Sequence, residues 1–356
     1  MHRLSILTIA IILASAAVPG RADDGVRAAR ADVDERVLAA IDRGLAYLAR
    51  TQNTDGSWTC KIGYKLNENY MGEDGANVAA TALAGMAFLA GGSVPGRGRY
   101  GDSVAKALDF ILSCSRAEDG YITRQGSRMY EHAFATLFLA EVCGTAPRED
   151  VKLRLKEAVN LLIRCQNAEG GWRYQPTPID ADISVTVTIL QGLRAARNVG
   201  IKVPRSTIEK AMRYVKECGG TYDGSFRYQR DPRFGTRSTF ALTAAGITCL
   251  YSAGEYDAPE IERGLEYLQN HRPELRPRFY HYFYGHYYGA QAMFQAGGAY
   301  WKNYFPALRD EFLAPPERGG QHPDGHWSDD VGPAYATAMA CVILQIPLEY
   351  LPIFQR

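Results

Sequence analysis

The sequence predicts an all-α protein in which six helix pairs close into a double ring. Three observations support this prediction: an internal repeat, a turn motif after most copies of it, and a run of small apolar residues after each turn. The repeat is visible in the letters, because IDRGLAYL at residues 41–48 returns as IERGLEYL at residues 261–268. No run of alternating apolar and polar residues competes with the helical pattern.

Each repeat begins with an amphipathic helix. A column of small residues marks the copies at Gly44, Ala107, Ala158, Ala211 and Gly264, spaced 63, 51, 53 and 53 residues apart, and a sixth copy is expected near residue 307. In the first copy apolar side chains recur at residues 37, 41, 45 and 48, which is the spacing of one helix face. These helices are expected on the outside of the ring, with their polar faces in water.

A turn motif of an acid, a glycine and an aromatic residue follows five of the six outer helices. It reads DGSW at residues 55–58, EDGY at 118–121, EGGW at 169–172, DGSF at 223–226 and DGHW at 324–327, whereas the fifth copy has HRP at 271–273. Glycine permits the positive φ that ends a helix, the acid can accept backbone N–H groups, and the ring fills the gap between helices. The motif is therefore predicted to be structural.

The second helix of each pair is predicted over residues 76–90, 130–142, 183–196, 238–251, 284–295 and 334–346. These segments are apolar on nearly every side and rich in small residues, so we expect them to be buried and closely packed. Six pairs can also stack as an open solenoid, but a solenoid needs atypical capping repeats, which the sequence lacks. A single ring over residues 23–356 is the better prediction.

Composition and the first residues restrict function and location. The 356 residues hold 40 Lys and Arg against 39 Asp and Glu, which argues against a nucleic-acid partner. Residues 1–22 are typical of a signal peptide, with an apolar run over residues 4–18 and small residues before a cleavage site near Ala22. We expect an exported chain, periplasmic or extracellular, with no transmembrane span; a retained anchor helix is the alternative.

Seven cysteines are an odd number, so at least one thiol stays unpaired or pairs between molecules. Cys114, Cys165 and Cys218 occupy equivalent places in successive repeats, which are usually too far apart for a disulfide. Cys249 and Cys341 lie in apolar helical runs and are expected in the core. We expect at most two disulfides.

Residues 52–58 and 166–172 read QNTDGSW and QNAEGGW. Both segments resemble the glutamine–tryptophan motif of squalene and terpenoid cyclases. The six helix pairs resemble the α/α toroid, an (α/α)6 barrel, that these cyclases share with the β subunits of protein prenyltransferases. The resemblance covers roughly residues 34–350, and it implies a hydrophobic, isoprenoid-like ligand in a central cavity.

Asp180 and Asp182 belong to the segment DADIS at residues 180–184. The segment resembles the Asp-x-Asp-Asp-Thr proton-donor motif of these cyclases, which implies that Asp182 donates a proton and that Asp180 tunes its acidity. Ile183 stands where the family has a third acid, which weakens this assignment. Asp182 is also well placed to cap the third inner helix.

The chain runs the same way in every inner helix, so the residues before these helices are expected at one mouth of the ring. His286 is the further catalytic candidate, and the expected ligand contacts are His132, Arg237, Tyr280, Tyr284, Tyr287 and Gln291. The last four share one helix face, whose aromatic rings can stabilise a polyene or a cation. The same rings can instead serve as core.

No metal and no other cofactor is expected. Resemblance to the prenyltransferases implies a zinc held by an Asp and a Cys on the fifth inner helix and a His on the sixth. Tyr284, His286 and residue 333 or 334 stand there in this chain, and of these only His286 can bind zinc. A different site formed by His132, Asp182 and His286 is the alternative.

Three functions stay open. The leading hypothesis is an exported protein that binds a hydrophobic, isoprenoid-like ligand, with acid-catalysed isomerisation or cyclisation by Asp182 as its chemistry. The second is a non-catalytic binding module for a protein or glycan partner, and the third is a polysaccharide lyase or hydrolase on the same toroid. The sequence leaves open whether the chain is an enzyme.

Overall fold

A computed structural model describes residues 32–63, 72–124, 128–146, 148–231, 233, 237–277 and 281–355. The expected signal peptide at residues 1–22 and the candidate Tyr280 lie outside the described residues. Over these ranges, every helix is too short or too polar to cross a bilayer.

Twelve α-helices in the described ranges form six pairs. The outer helices are α1 (Glu35–Thr51), α3 (Gly101–Ser113), α5 (Glu149–Arg164), α7 (Arg205–Cys218), α9 (Pro259–His271) and α11 (Gly298–Phe312). The inner helices are α2 (Val78–Ala90), α4 (Met129–Thr145), α6 (Ile183–Asn198), α8 (Phe240–Ser252), α10 (Tyr282–Ala296) and α12 (Pro333–Gln345). Each inner helix begins and ends within three residues of its predicted range.

The inner helices form a closed ring. Each packs on the next in chain order, and α12 returns to α2. The outer helices pack chiefly against the inner helix of the preceding repeat, so α1 lies on α12 and covers the closure. Because the last repeat packs on the first, the fold is the predicted α/α toroid and not a solenoid.

Burial follows the predicted division between outer and inner helices. The outer helix α1 buries one stripe that includes Val37, Ile41, Leu45 and Leu48. The inner helix α2 buries every residue except Ala79. Outer helices therefore separate water from core, while inner helices lie between the outer layer and the centre of the ring.

The expectation of a chain without strands is corrected at one place. Thr59–Ile62 (β1) and Glu73–Ala76 (β2) pair as a short antiparallel ribbon between the first turn and α2. The equivalent segments of other repeats form only single bridges, such as Trp172 with Asp182. Four-residue strands are too short to show a periodicity in the sequence, which is why the pattern missed them.

The acid–glycine–aromatic turn can join one repeat to the next, as the third turn shows. Nε2 of Gln166 donates to the carbonyl oxygen of Gly170 in its own turn (2.8 Å) and to that of Thr207 in α7 (2.9 Å). The indole N–H of Trp172 donates back to the carbonyl oxygen of Leu162 in α5 (2.7 Å). One turn thus joins two successive outer helices, which confirms the structural interpretation of the motif.

The same tie closes the ring. Nε2 of Gln321 donates to the carbonyl oxygens of Gly325 in the sixth turn (2.9 Å) and of Ala40 in α1 (2.8 Å). In the first repeat, Nε2 of Gln52 donates to the carbonyl oxygen of Ser103 in α3 (2.9 Å). The sixth turn is therefore bonded to the first outer helix in the same way as the first turn is bonded to the second outer helix.

All seven cysteines are free thiols. Cys249 and Cys341 are buried core residues, as predicted. Burial also raises the pKa of the Cys60 thiol to about 12, which keeps this thiol protonated near neutral pH.

We expect Gly170→Ala to destabilise the protein far more than Gly200→Ala. Gly170 has φ +102°, and an added Cβ would overlap the carbonyl oxygen of Lys210 in α7; Gly200 has φ +82° with open space around an added Cβ. The first change should lower the free energy of unfolding by about 3 kcal/mol or more and the second by about 1 kcal/mol, measured by urea denaturation. Equal losses would show that the close approach of α7 is unimportant.

Candidate functional site

Aromatic side chains gather where the inner helices begin. Tyr130, Tyr284 and Tyr335 lie in the first turns of α4, α10 and α12, while Tyr174 and Tyr228 lie on the segments that lead into α6 and α8. All five are half-buried. The Tyr130 ring centre is 6.1 Å from that of Tyr174 and 6.5 Å from that of Tyr284. These five side chains form the tyrosine mouth.

Asp182 lies at the base of the tyrosine mouth with no exposed surface. Its Oδ1 accepts the backbone N–H of Val185 (2.9 Å) and so caps α6, which confirms the capping prediction. Its Oδ2 accepts the hydroxyl of Tyr228 (3.2 Å), and that hydroxyl lies 2.6 Å from the hydroxyl of Tyr174. One carboxyl oxygen therefore caps α6, and the other is hydrogen-bonded to a tyrosine of the mouth.

Burial raises the pKa of Asp182 to about 6. The hydrogen bond from the Val185 N–H, the guanidinium of Arg173 and the Tyr228 hydroxyl act in the opposite direction, and the Nε of Arg173 is 3.9 Å from Oδ2. These contacts do not offset the lost hydration of the charged form. The carboxyl is therefore partly protonated near pH 6, which is the property of a general acid.

Three guanidinium groups lie over the rings of the mouth. Arg128 and Arg173 lie 5.1 and 5.5 Å from the centre of the Tyr174 ring. Arg237 lies 5.1 Å from the centre of the Tyr228 ring. The side of the mouth formed by α4, α6 and α8 is therefore cationic.

The opposite side of the mouth carries carboxyl groups. Asp329 precedes α12, the helix across the ring from α6, and its Oδ1 accepts the backbone N–H of Val331 (2.9 Å). Burial, together with the charge of Asp330, raises the pKa of Asp329 to about 6. Two carboxyls with raised pKa values thus belong to one mouth.

The structure brings four of the predicted site residues to this mouth: Asp180, Asp182, Arg237 and Tyr284. Asp180 is exposed and pairs with Arg173, so its influence on Asp182 passes through that guanidinium. The hydroxyl of Tyr284 donates to the carbonyl oxygen of Ser184 at the start of α6 (3.2 Å).

Tyr287 and Gln291 lie deeper, in the packed centre of the ring. The Tyr287 hydroxyl donates to Oε1 of Gln191 (3.3 Å), and Nε2 of Gln191 donates to Oε1 of Gln291 (2.7 Å). These bonds join α10 directly to α6, where the sequence analysis expected a cavity between them. Gln291 borders a cavity of about 10 Å³ near the far end of the ring, room for one water molecule. Ligand binding by these two residues stays a prediction.

The two predicted histidines face the outer helices and do not join Asp182. Nδ1 of His132 accepts the Ile122 N–H (3.0 Å) and its Nε2 donates to the carbonyl oxygen of Ala158 (3.2 Å). Nδ1 of His286 lies 2.7 Å from the hydroxyl of Tyr304 in α11. Burial lowers the pKa of His132 to about 4 and that of His286 well below its usual value.

This placement corrects the expectation that both histidines lie at the mouth. The alternative metal site of His132, Asp182 and His286 is not assembled, because the two imidazoles point away from the centre of the ring. Among the residues that the structure describes, no group of three His, Cys, Asp or Glu side chains is arranged to hold a metal ion.

Tyr174 and Tyr228 were not among the predicted site residues, although the repeat contained a signal for them. Both stand two residues after a turn aromatic, Trp172 or Phe226. The same place in the other repeats is held by Cys60, Thr123 and Asp329. The segment that connects a turn to its inner helix reaches the mouth two residues after the turn aromatic.

Solved structures of known enzymes share this fold. The type II terpene cyclase MstE from Scytonema matches with a TM-score of 0.59 at 12% identity, over 89% of this chain and 100% of that one. A variant of that cyclase in complex with its substrate, geranylgeranyl dihydroxybenzoate, matches with a TM-score of 0.56 at 13% identity, over 93% and 99%.

Other similar structures are named for sugar chemistry. A sugar epimerase from a ruminal bacterium matches with a TM-score of 0.59 at 12% identity, over 90% of this chain and 98% of that one. An inactive variant of an α-1,6-mannanase of Salegentibacter, in complex with α-1,6-mannotriose, matches with a TM-score of 0.59 at 8% identity, over 87% and 98%.

No family model and no curated protein matches the chain. At these low identities the structural likeness shows the α/α toroid alone. Enzymes named for terpenoid chemistry and for sugar chemistry both use this toroid, so the fold does not assign a function.

The raised pKa of Asp182 predicts a pH-dependent stability. Its folded-state pKa of about 6 exceeds the ordinary value of 3.8, so its stabilising effect is complete below about pH 4 and is lost as the pH rises through 6. Asp182→Asn keeps the cap and cannot ionise. In urea titrations, the free energy of unfolding of this variant relative to that of wild type should therefore rise by up to about 3 kcal/mol between pH 4 and pH 8.

Asp34→Asn is the matched control for that titration. Asp34 caps α1 through the Val37 N–H (3.0 Å), but a hydrogen bond from Arg36 lowers its pKa. The control should therefore lose stability relative to wild type as the pH rises through the acid range. A constant difference between Asp182→Asn and wild type at every pH would contradict the raised pKa of Asp182.

Proposed function

We propose that the protein binds a hydrophobic, isoprenoid-like ligand at the tyrosine mouth and that Asp182 acts on it as a general acid. The observation that supports this most strongly is a fully buried carboxyl, with a pKa of about 6, beneath five half-buried tyrosines. Tyrosine rings offer apolar surface to a polyene, and their negative faces stabilise a carbocation.

The geometry limits where this ligand lies. Below Tyr284 the ring is filled, since the hydroxyl of Tyr288 in α10 lies 2.9 Å from that of Thr188 in α6 and Tyr287 bonds to Gln191. A ligand therefore lies across the mouth and does not pass through the ring. This favours shorter polyenes, or one end of a longer chain.

Two phenols connect the buried acid to this ligand. When Asp182 is protonated at Oδ2, the direction of its hydrogen bond with Tyr228 reverses: Oδ2 donates to the Tyr228 oxygen, and the Tyr228 hydroxyl donates to that of Tyr174. The proton of Asp182 then passes to Tyr228, the Tyr228 proton passes to Tyr174, and Tyr174 protonates an alkene carbon. The two phenols end the step unchanged, and Asp182 becomes a carboxylate. Loss of a proton from another carbon of the cation completes an isomerisation or a cyclisation without change in composition.

We expect Asp182→Asn to reduce turnover at least about 100-fold, because an amide has no acidic proton to transfer. Wild type and variant are incubated with squalene, geranylgeraniol and farnesol, and products are separated by chromatography with mass detection. Tyr228→Phe should also lose activity, whereas Asp34→Asn, which removes the charge of an equivalent helix cap far from the mouth, should keep wild-type turnover.

The outcomes separate the hypotheses. Product from Asp182→Asn at the wild-type rate would exclude Asp182 as the acid. Polyene binding without product from wild type would leave a non-catalytic binding module.

A second candidate, a sugar hydrolase or lyase, is favoured by Asp329. Two carboxyls with raised pKa values on opposite sides of one mouth resemble the acid and base of a glycoside hydrolase. If the protein is a sugar hydrolase or lyase, we expect Asp329→Asn to abolish cleavage of α-1,6-mannotriose or of acidic oligosaccharides. If it acts on a polyene through Asp182, we expect Asp329→Asn to leave polyene turnover near that of wild type. Chromatography of the released sugars measures the cleavage activity.

Export is part of the proposal, argued from the pattern of residues 1–22. Cleavage near Ala22 would give a mature chain that begins near Asp23. The intact mass of the secreted protein measures this, and a mass that includes residues 1–22 would favour the retained anchor.

A further inference from the structure

We infer that the ligand carries an oxyanion, a carboxylate or a phosphate, beside its apolar body, and that Arg128 and Arg237 bind this group. The inference rests on the proposed function, because it concerns the ligand of the same mouth. Four observations support it: the division of charge across the mouth, the unused donors of two guanidiniums, the tyrosine rings that hold them, and their place beside Asp182.

The charges of the mouth are divided between its two sides. Arg128, Arg173 and Arg237 lie on the side of α4, α6 and α8, where Asp180 pairs with Arg173 and Asp182 is buried. Asp329 and Asp330 lie on the opposite side, before α12. An anionic group is attracted to the first side and repelled by the second, so a ligand with one charged end can lie across the mouth in only one direction.

Two of these guanidiniums have donors to spare. Within the described ranges, the side chains of Arg128 and Arg237 make no hydrogen bond and no ion pair with the protein, while Arg173 is engaged by Asp180. A guanidinium presents five N–H donors in one plane, a geometry that matches the two oxygens of a carboxylate or a phosphate. Both side chains therefore retain the capacity to bind an oxyanion.

The tyrosine rings fix the orientation of these groups. A guanidinium stacked on an aromatic face is held in position while the N–H donors at its edge stay available. Arg128 uses the Tyr174 ring and Arg237 the Tyr228 ring, and the hydroxyls of these two tyrosines are 2.6 Å apart. The two guanidiniums thus flank one hydrogen-bonded tyrosine pair.

That pair is also the link to the acid. The Tyr228 hydroxyl donates to Oδ2 of Asp182, so an oxyanion bound by Arg128 and Arg237 lies in the same cluster as the proton donor. The apolar body then begins beside Tyr174, where the proposed proton chain ends. The arginines are in this way positioning residues that set which carbon of the ligand is presented to the acid.

The test compares two probes with the same apolar body. Geranylgeranoic acid and its methyl ester are titrated into the full chain by calorimetry. Wild type should bind the acid about tenfold or more tightly than the ester. In the Arg128→Gln, Arg237→Gln double variant that ratio should fall to about one, with the affinity for the ester unchanged.

Arg205→Gln is the control for loss of a positive charge. Arg205 is exposed at the start of α7, and its Nε donates to Glu209 on the same helix (2.6 Å). The control should keep both affinities. Loss of the preference for the acid in Arg205→Gln would assign the effect to general charge and would overturn the arginine assignment.

The outcomes distinguish failure of the inference from failure of the proposed function. Equal binding of acid and ester by wild type overturns the oxyanion and leaves the hydrophobic ligand in place. Tighter binding of geranylgeranyl monophosphate than of the acid identifies the oxyanion as a phosphate. If the acid, the ester and the monophosphate all fail to bind, the proposed ligand is wrong. Trigalacturonate is then compared with mannotriose, and only a preference for the acidic sugar that the double variant removes would keep the oxyanion site.

Discussion

The packing of the turn motifs on the next outer helix, joined by a glutamine amide in the first, third and sixth turns, is the contact on which the ring depends. Gln52, Gln166 and Gln321 each donate to their own turn and to the backbone of a following outer helix. These bonds can form only because the turn lies directly against that helix. The turn glycine makes this possible, since its missing side chain leaves room for a helix carbonyl and its positive φ reverses the chain.

Repetition of this tie decides where chemistry can occur. Because five of the six turns pack on the next outer helix in the same way, all six inner helices run in one direction and their amino-terminal ends meet at one mouth. Unpaired N–H groups favour carboxylates there, which is why Asp182 can cap a helix with one oxygen while the other is hydrogen-bonded to Tyr228 of the mouth. The far end of the ring is occupied by the chain itself, with the Phe354 ring centre 6.3 Å from that of Tyr287. The tyrosine mouth lies at the opposite end of the ring from this packing.

Part of the candidate site was predicted from the sequence, and the predictions that were wrong have an identifiable cause. Asp182 was found because a short motif stands immediately before an inner helix, a place that the toroid assigns to the mouth. His132 and His286 were misplaced because they lie inside helices that are apolar on almost every side. Such helices have no polar face from which an orientation can be read. Tyr287 and Gln291 were assigned to a cavity that the structure fills with cross-ring hydrogen bonds.

The sequence by itself determined the number of repeats, the helix boundaries and the ring, because these depend on local periodicity and on a turn motif that recurs with little change. Only the tertiary structure decided which side chains meet. Arg128, Tyr174, Tyr228 and Asp182 come from three different repeats, and the repeat spacing assigns them to one end of the ring without showing which of them are in contact. The pKa of Asp182 is likewise a tertiary property. It is raised because packing of distant segments removes water from a carboxyl that would otherwise be an ordinary exposed helix cap.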